Sequence, residues 1–282
     1  MNRILHNIGT PNITDVTSEL SKKPIWRVRL LGNRRWTISS SSIVPSRSLF
    51  QFPTYTSMSG VLNICLLILA WNFLFFPATS YSLPEKYTHR ITELVEKNRN
   101  QLSVKEYSLI AETLLQKRPC NMLIFGVGND SSLWIDLNIG GTTLFLESNA
   151  YWLNHVQSQL PDINVHLVHY NTLLSDWKYL LNNKNRRLLK LTVPEVVLDT
   201  QWDIIFVDGP EGYNDSTPGR MKSIYTTSLL ANQQNNDVHI FVHDCDRNVE
   251  AVYTDKFLQE RNLKQRIDRL NYYIINSRRF IR

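Results

Sequence analysis

Cysteine patterns that would build a disulfide framework or a zinc site are missing from this chain. Its three cysteines form no CxxC pair, and no His/Cys cluster has ligand spacing. Cys65 lies in an apolar segment. Cys120 and Cys245 each abut an apolar run, so both are read as buried thiols rather than as a bridge. A basic surplus is missing from most of the sequence too. The formal net charge of +6 is carried entirely by residues 1–57, where eight Lys/Arg face only Asp15 and Glu19. The rest is neutral overall, which argues against nucleic acid as a partner. Membrane-grade hydrophobicity is equally scarce, being confined to Val61 to Phe76.

What lies before residue 83 predicts targeting rather than fold. Residues 1–57 show no sustained periodicity, and Ser39 to Ser42 is of low complexity, so a disordered basic arm is predicted. The apolar run is shorter than the roughly 20 residues that span a bilayer. Continued through Pro77 to Tyr81 it is long enough, with Trp71 and Tyr81 as interfacial anchors. Basic residues on its N-terminal side place the arm in the cytosol and the remainder in a lumen. Met58 before the run and Ala78-Thr79-Ser80 after it leave a cleaved signal peptide open, and a buried core helix is the third reading. The predicted division is an arm over 1–57, a transmembrane signal-anchor or signal peptide over 58–82, and a globular domain over 83–282.

The globular part alternates strand and helix signals. Polar helical sequence follows Pro84, and Ser103-Val104-Lys105-Glu106 has the form of a capping box opening a helix that Pro119 stops. That helix is read as core packing. Buried strands are predicted at Cys120 to Phe125, Thr143 to Leu146, Ile163 to Tyr170, Trp202 to Val207 and Val238 to Val242, with a terminal strand pair between Leu263 and Asn276. Helices are predicted between them, and a polar surface loop beginning at Asn182 to Arg187. The alternation implies a mostly parallel sheet flanked by helices, a Rossmann-like α/β fold that binds ligands at the carboxyl ends of its strands.

Those ends are where the chemistry concentrates. The first strand runs into Gly126-Val127-Gly128, followed by Asn129 to Ser132 as candidate helix caps; the second ends in Glu147, nineteen positions after Gly128. A glycine loop and an acid about 20 residues later match an adenosyl-ligand site, the carboxylate accepting from the ribose hydroxyls. A dinucleotide fingerprint needs a third glycine where Ser131 stands. That favours S-adenosylmethionine, which has no pyrophosphate, over an NAD-dependent oxidoreductase. The later strands end in Asp208-Gly209-Pro210 and His243-Asp244.

Three stretches in this order, from Pro119 to Ser148, from Val207 to Ala231 and from Ile240 to Leu258, resemble the plant family of glucuronoxylan 4-O-methyltransferases and irregular-xylem proteins. The likeness covers about residues 100–276, with Gly209 and Cys245 departing from the family's pattern. It implies a class I methyltransferase-like domain behind an N-terminal membrane anchor, in the Golgi membrane with the domain luminal, or secreted if the leader is cleaved. It implies methyl transfer from S-adenosylmethionine to O-4 of glucuronic acid on glucuronoxylan or a related uronic acid polysaccharide. Gly126, Gly128, Asp130 and Glu147 match the donor site. Asp208, Gly212, Tyr213, Pro218, Gly219 and Arg220 match the central motif, and His243, Asp244 and Arg247 the next.

The acceptor hydroxyl needs a base. His243 and Asp208 are the candidates, with Asp244 orienting the imidazole. Tyr213 and Arg220 are the expected acceptor contacts, Arg220 as a bidentate clamp on the uronate carboxylate. Asp208, Asp244 and Asp246 are the oxygen set open to a divalent cation. A non-catalytic, membrane-anchored assembly protein of xylan biosynthesis is the competing reading.

Overall fold

A computed structural model describes residues 83–98 and 101–276. The predicted arm and the anchor or signal segment lie outside the described residues. Among the described residues no helix is long and apolar enough to cross a membrane. The elements run α1 (Glu85–Lys97), α2 (Val104–Lys117), β1 (Asn121–Phe125), α3 (Ser131–Leu137), β2 (Thr142–Glu147), α4 (Ala150–Gln159), β3 (Val165–Leu167), α5 (Trp177–Asn182), α6 (Glu195–Asp199), β4 (Ile204–Val207), α7 (Met221–Gln233), β5 (Val238–Val242), α8 (Asn248–Phe257), β6 (Leu263–Ile267) and β7 (Leu270–Ile275).

The strands form one sheet in the order β3-β2-β1-β4-β5-β7-β6. Pairs from β3 through β5 are parallel, and β7 runs antiparallel to both β5 and β6. This is the Rossmann-like, mostly parallel arrangement the alternation predicts. Side chains of the central strands go alternately to two cores. Leu123, Phe125, Ile205 and Val207 pack on the side of α7 and α8, while Met122, Ile124, Ile204 and Phe206 pack on the side of α2 and α3. Each fully buried aliphatic or aromatic side chain contributes about 1.5–3 kcal/mol over exposure. Strands lined on both faces this way read as unbroken apolar runs.

One local expectation changes. The third strand is only Val165–Leu167, because the chain turns away to carry Val168 into the core and His169 and Tyr170 to the sheet edge. The polar run Asn182 to Arg187 lies at the surface as read, but the chain turns inward just beyond it. Leu189, Leu191 and Val197 are buried there, and Leu191 N–H donates to Thr226 Oγ1 (2.9 Å) on α7. Apolar residues spaced among lysines and arginines hide the short helical turns that bury them. The capping box forms as read: Glu106 N–H donates to Ser103 Oγ (3.3 Å) and Ser103 N–H to Glu106 Oε2 (2.6 Å). Cys120 and Cys245 are free, and burial pushes both thiols up to about 12.

Candidate active site

The carboxyl ends of β1, β2, β4 and β5 open into one crevice of about 1060 Å³. It is large for a ligand site, where about 300–1,000 Å³ is usual, and has room for two reactants side by side. Gly126, Gly128, Asp130, Glu147, Asp208, Tyr213, Arg220, His243 and Asp244 all line it, so these nine candidates reach the same space, whereas Asp246 does not line it. Close approach of backbones makes the join between its halves. Gly126 has φ +105°, and a Cβ on Gly209 would stand 2.8 Å from Gly126 Cα, so the chain leaving β1 and the chain leaving β4 touch only as glycines.

At the β1–β2 end the glycine loop keeps its own amides. Gly126 N–H donates to Leu146 O (2.8 Å), Val127 N–H to Glu147 Oε2 (3.0 Å), and Gly128 N–H to Ser131 Oγ (2.9 Å). A pyrophosphate cradle needs such N–H groups free. Ser131, buried where a dinucleotide site would carry glycine, therefore ties the loop shut against diphosphates. Glu147 Oε1 accepts from Ser148 and Asn149 N–H, both at 2.7 Å, which fixes the carboxylate at the crevice floor. A carboxylate offers about four acceptor positions, so Oε2 retains one for a ligand hydroxyl. Trp152 Nε1 donates to Val127 O, holding an indole beside the loop. These residues fit an adenosyl group that brings no phosphate.

Asp130 closes this end. Its carboxylate accepts from Trp134 Nε1 (3.0 Å) and from Tyr107 OH (3.4 Å), and the two rings stack at 5.7 Å. Although Asp130 occupies the N-cap position of α3, its side chain caps nothing. Burial first, and the charge of Asp208 second, push its carboxyl up to about 6 against those two hydrogen bonds.

The β4–β5 end holds a buried charge network. His243 Nδ1 donates to Asp208 Oδ1 (3.0 Å), whereas Asp244 Oδ2 stands 3.6 Å away, beyond hydrogen-bond reach. The residue orienting the imidazole is thus Asp208, a correction of the role expected for Asp244. Asp244 instead takes three guanidinium groups: Arg220 Nη2 at 2.9 Å, Arg269 Nη1 at 3.0 Å and Arg247 Nη2 at 3.1 Å. Its φ of +60°, tolerable for aspartate, turns the carboxylate toward them. His243 Nε2 is buried without a hydrogen-bond partner and faces Glu106 Oε1 at 3.8 Å. Asp208 is the most open of the three, its side chain 17% exposed against 2% and 4% for His243 and Asp244. Burial alone would raise the Asp208 carboxyl. The His243 hydrogen bond and the charges of His243, Arg220 and Arg269 outweigh it and hold Asp208 below the usual carboxylate range.

Arg220 is corrected from acceptor clamp to internal brace. Only 3% exposed, it donates through Nε to Pro210 O (2.8 Å), Nη1 to His243 O (2.9 Å) and Nη2 to Asp208 O (3.0 Å), and pairs with Asp208 Oδ1 at 3.1 Å. A side chain so committed ties the two strand ends together. A divalent cation fits poorly for the same reason. The ligand atoms of Asp208, His243 and Asp244 lie within 4.8 Å of one another, and Asp246 is exposed and outside that group. Arg220 Nη2 already bridges Asp208 Oδ1 and Asp244 Oδ2, the oxygens a hard cation would claim at about 2.0–2.6 Å. Tyr213 stands at the rim, 68% exposed.

Several contributors are not marked as site residues by the chain. Glu106 and Tyr107 sit on a helix whose pattern reads as packing, and Trp134 and Trp152 look like ordinary amphipathic positions. For Glu106 the signal was present but ambiguous: one carboxylate oxygen serves the cap while the other accepts from Arg269 N–H (2.7 Å) beside His243.

The model of the family IRX15/IRX15L/GXM matches residues 105–191 and 185–273. Glucuronoxylan 4-O-methyltransferase 2 of Arabidopsis thaliana is 36% identical over 214 residues, 70% of this chain and 73% of its own. Arabinogalactan O-methyltransferase 2 of the same plant is 35% identical over 195 residues, 62% of this chain and 67% of its own. Protein IRREGULAR XYLEM 15, also from Arabidopsis thaliana, is 32% identical over 224 residues, 71% of this chain and 70% of its own. With matched segments spanning the strand tips at both ends of the crevice, the chain belongs to the IRX15/IRX15L/GXM family.

Proposed function

We propose that this chain is an S-adenosylmethionine-dependent O-methyltransferase that methylates O-4 of glucuronic acid side chains on glucuronoxylan or a related uronic acid polysaccharide. The observation that carries the reading is the shared crevice. Glu147 and the closed glycine loop lie at one end, and Asp208 stands beside them on the next strand but one. When bound, S-adenosylmethionine supplies a methyl group already activated on a sulfonium. Glu147 Oε2 would accept from the ribose, Trp152 would flank the adenosyl end, and Asp130 would offer a carboxylate to the donor's positive charge. Asp208 accepts the proton of the attacking hydroxyl as the oxygen–carbon bond forms and the carbon–sulfur bond breaks. His243 and Arg220 hold that carboxylate in place. His243 is less suited to accept the proton itself, because Nδ1 is committed to Asp208 and Nε2 is sealed against Glu106. The domain works on the luminal side of a Golgi membrane, anchored through the apolar segment at residues 61–81.

Incubating the full chain with labelled donor and a panel of oligosaccharides with and without glucuronic acid tests the reading. Label is expected predominantly in the uronic acid members, with neutral members labelled far more slowly. Donor binding with no transfer to any member would favour the assembly-protein alternative, and no donor binding would remove the enzyme reading.

Asp130 gives this site a pH dependence. Its carboxyl, raised to about 6, is neutral below that value and anionic above it. Affinity for the cationic donor should therefore fall about tenfold from pH 7 to pH 5 as the charge is lost. Calorimetric titration checks this, and Asp130→Asn should bind more weakly and without that pH dependence.

A further inference from the structure

An acceptor bearing a carboxylate needs a cation at the β4–β5 end, and Arg220 is unavailable. Among the described residues, the lysines and arginines lining the crevice are Arg220 and Arg247. Arg247 is the open one, with its side chain 31% exposed. We propose that Arg247 recognises the carboxylate of the uronic acid acceptor and sets the preference for uronic over neutral sugars, an inference that rests on the methyltransferase reading above.

Arg247 is placed by its position and its tethers. It occupies the N-cap of α8, directly after β5, on the opposite side of Asp208 from Glu147 in the sheet order. Nη1 donates to Glu211 O (2.7 Å), and Nη2 pairs with Asp244 Oδ2 (3.1 Å). Two fixed contacts hold the planar group still, and its remaining N–H groups are left for a ligand, which is how a guanidinium recognises a carboxylate without losing much side-chain entropy.

Nor is the charge of Arg247 cancelled by its surroundings. Asp244 shares its carboxylate among Arg220, Arg247 and Arg269. Glu250, buried nearby on α8, hydrogen-bonds through neither carboxylate oxygen, so it does not occupy the guanidinium's N–H groups.

The chemistry of the acceptor supplies the spacing. In a hexuronic acid the carboxylate is borne by C-5, adjacent to the C-4 whose hydroxyl is methylated. Cation and proton acceptor must therefore be close neighbours. Here Asp244 Oδ2 touches both Arg247 Nη2 and Arg220 Nη2, and Arg220 Nη2 touches Asp208 Oδ1. Exposed Tyr213, on the loop that Arg247 holds through Glu211, offers a ring face at the same rim.

The test compares a glucuronic acid oligosaccharide with its carboxyl-reduced counterpart in wild type, Arg247→Gln and Arg247→Lys. Glutamine keeps a donor for Glu211 O but loses the charge; lysine keeps the charge but loses the fork. For Arg247→Gln, KM for the uronic acceptor should rise about 10–100-fold, as for a charged hydrogen bond worth about 1.5–3 kcal/mol. KM for the reduced acceptor and the donor dissociation constant should stay at wild-type values, and Arg247→Lys should recover part of the preference. An Arg247→Gln enzyme that keeps the wild-type preference, or loses both acceptors equally, overturns the inference. If wild type methylates neither oligosaccharide while still binding donor, the methyltransferase reading fails first and takes this inference with it.

Discussion

Exchange of Asp208 for asparagine lowers turnover by about two to four orders of magnitude, the range for loss of a positioned base. Asparagine is nearly isosteric, and its carbonyl oxygen can still accept from His243 Nδ1 and Arg220 Nη2 at the positions Asp208 Oδ1 now serves. The network therefore stays assembled while the proton acceptor is lost. Donor affinity at pH 8 should remain within about threefold of wild type, since Glu147 and the loop are untouched. A second, independent sign follows from the coupling of the two acids. The charge of Asp208 is among the causes that raise Asp130. Removing it should move the midpoint of donor binding below about 6. A variant that turned over normally, or that lost donor binding altogether, would contradict the role given to Asp208.

Removal of Arg220 should act on the fold itself. Arg220→Gln leaves Asp208 and Asp244 facing each other without the cation that bridges them, and deprives Pro210 O, His243 O and Asp208 O of their donor. Breaking a buried pair by deleting one partner costs about 3–5 kcal/mol. For a domain of this size that is a fall in Tm on the order of 10 °C. Arg220→Lys should recover little, because one ammonium cannot reach acceptors arranged for a planar fork. Thermal unfolding checks both variants. A residue that only clamped acceptor would instead raise KM and leave Tm in place.

How much of this could be read from the chain differs by residue. Strands buried on both faces announce themselves as apolar runs, and their polar terminators point to Glu147, Asp208, His243 and Asp244. The pairings among those terminators were not legible. Which carboxylate faces His243 Nδ1 depends on the backbone of Asp244 adopting φ +60°, and nothing in His243-Asp244 encodes it beyond a residue type that tolerates it. Arg220 carried the same ambiguity. An arginine opening a helix after a glycine is written alike whether it meets solvent or five protein acceptors, and its partners lie 10 to 24 positions away. Ser131 was the opposite case. Its place where a glycine belongs weighed against a dinucleotide in the sequence, and the Gly128 N–H to Ser131 Oγ bond supplies a physical reason.

The pH dependence of kcat, at saturating donor and acceptor, tests most directly which group takes the proton. Saturation removes the contribution of donor affinity and hence of Asp130. With Asp208 held below the usual carboxylate range by His243 and its arginines, turnover should stay level as pH falls through about 7 and 6 and decline only below about 4. Half-loss of turnover between about pH 6 and 7, the range of an imidazole, would make His243 the base and contradict the account.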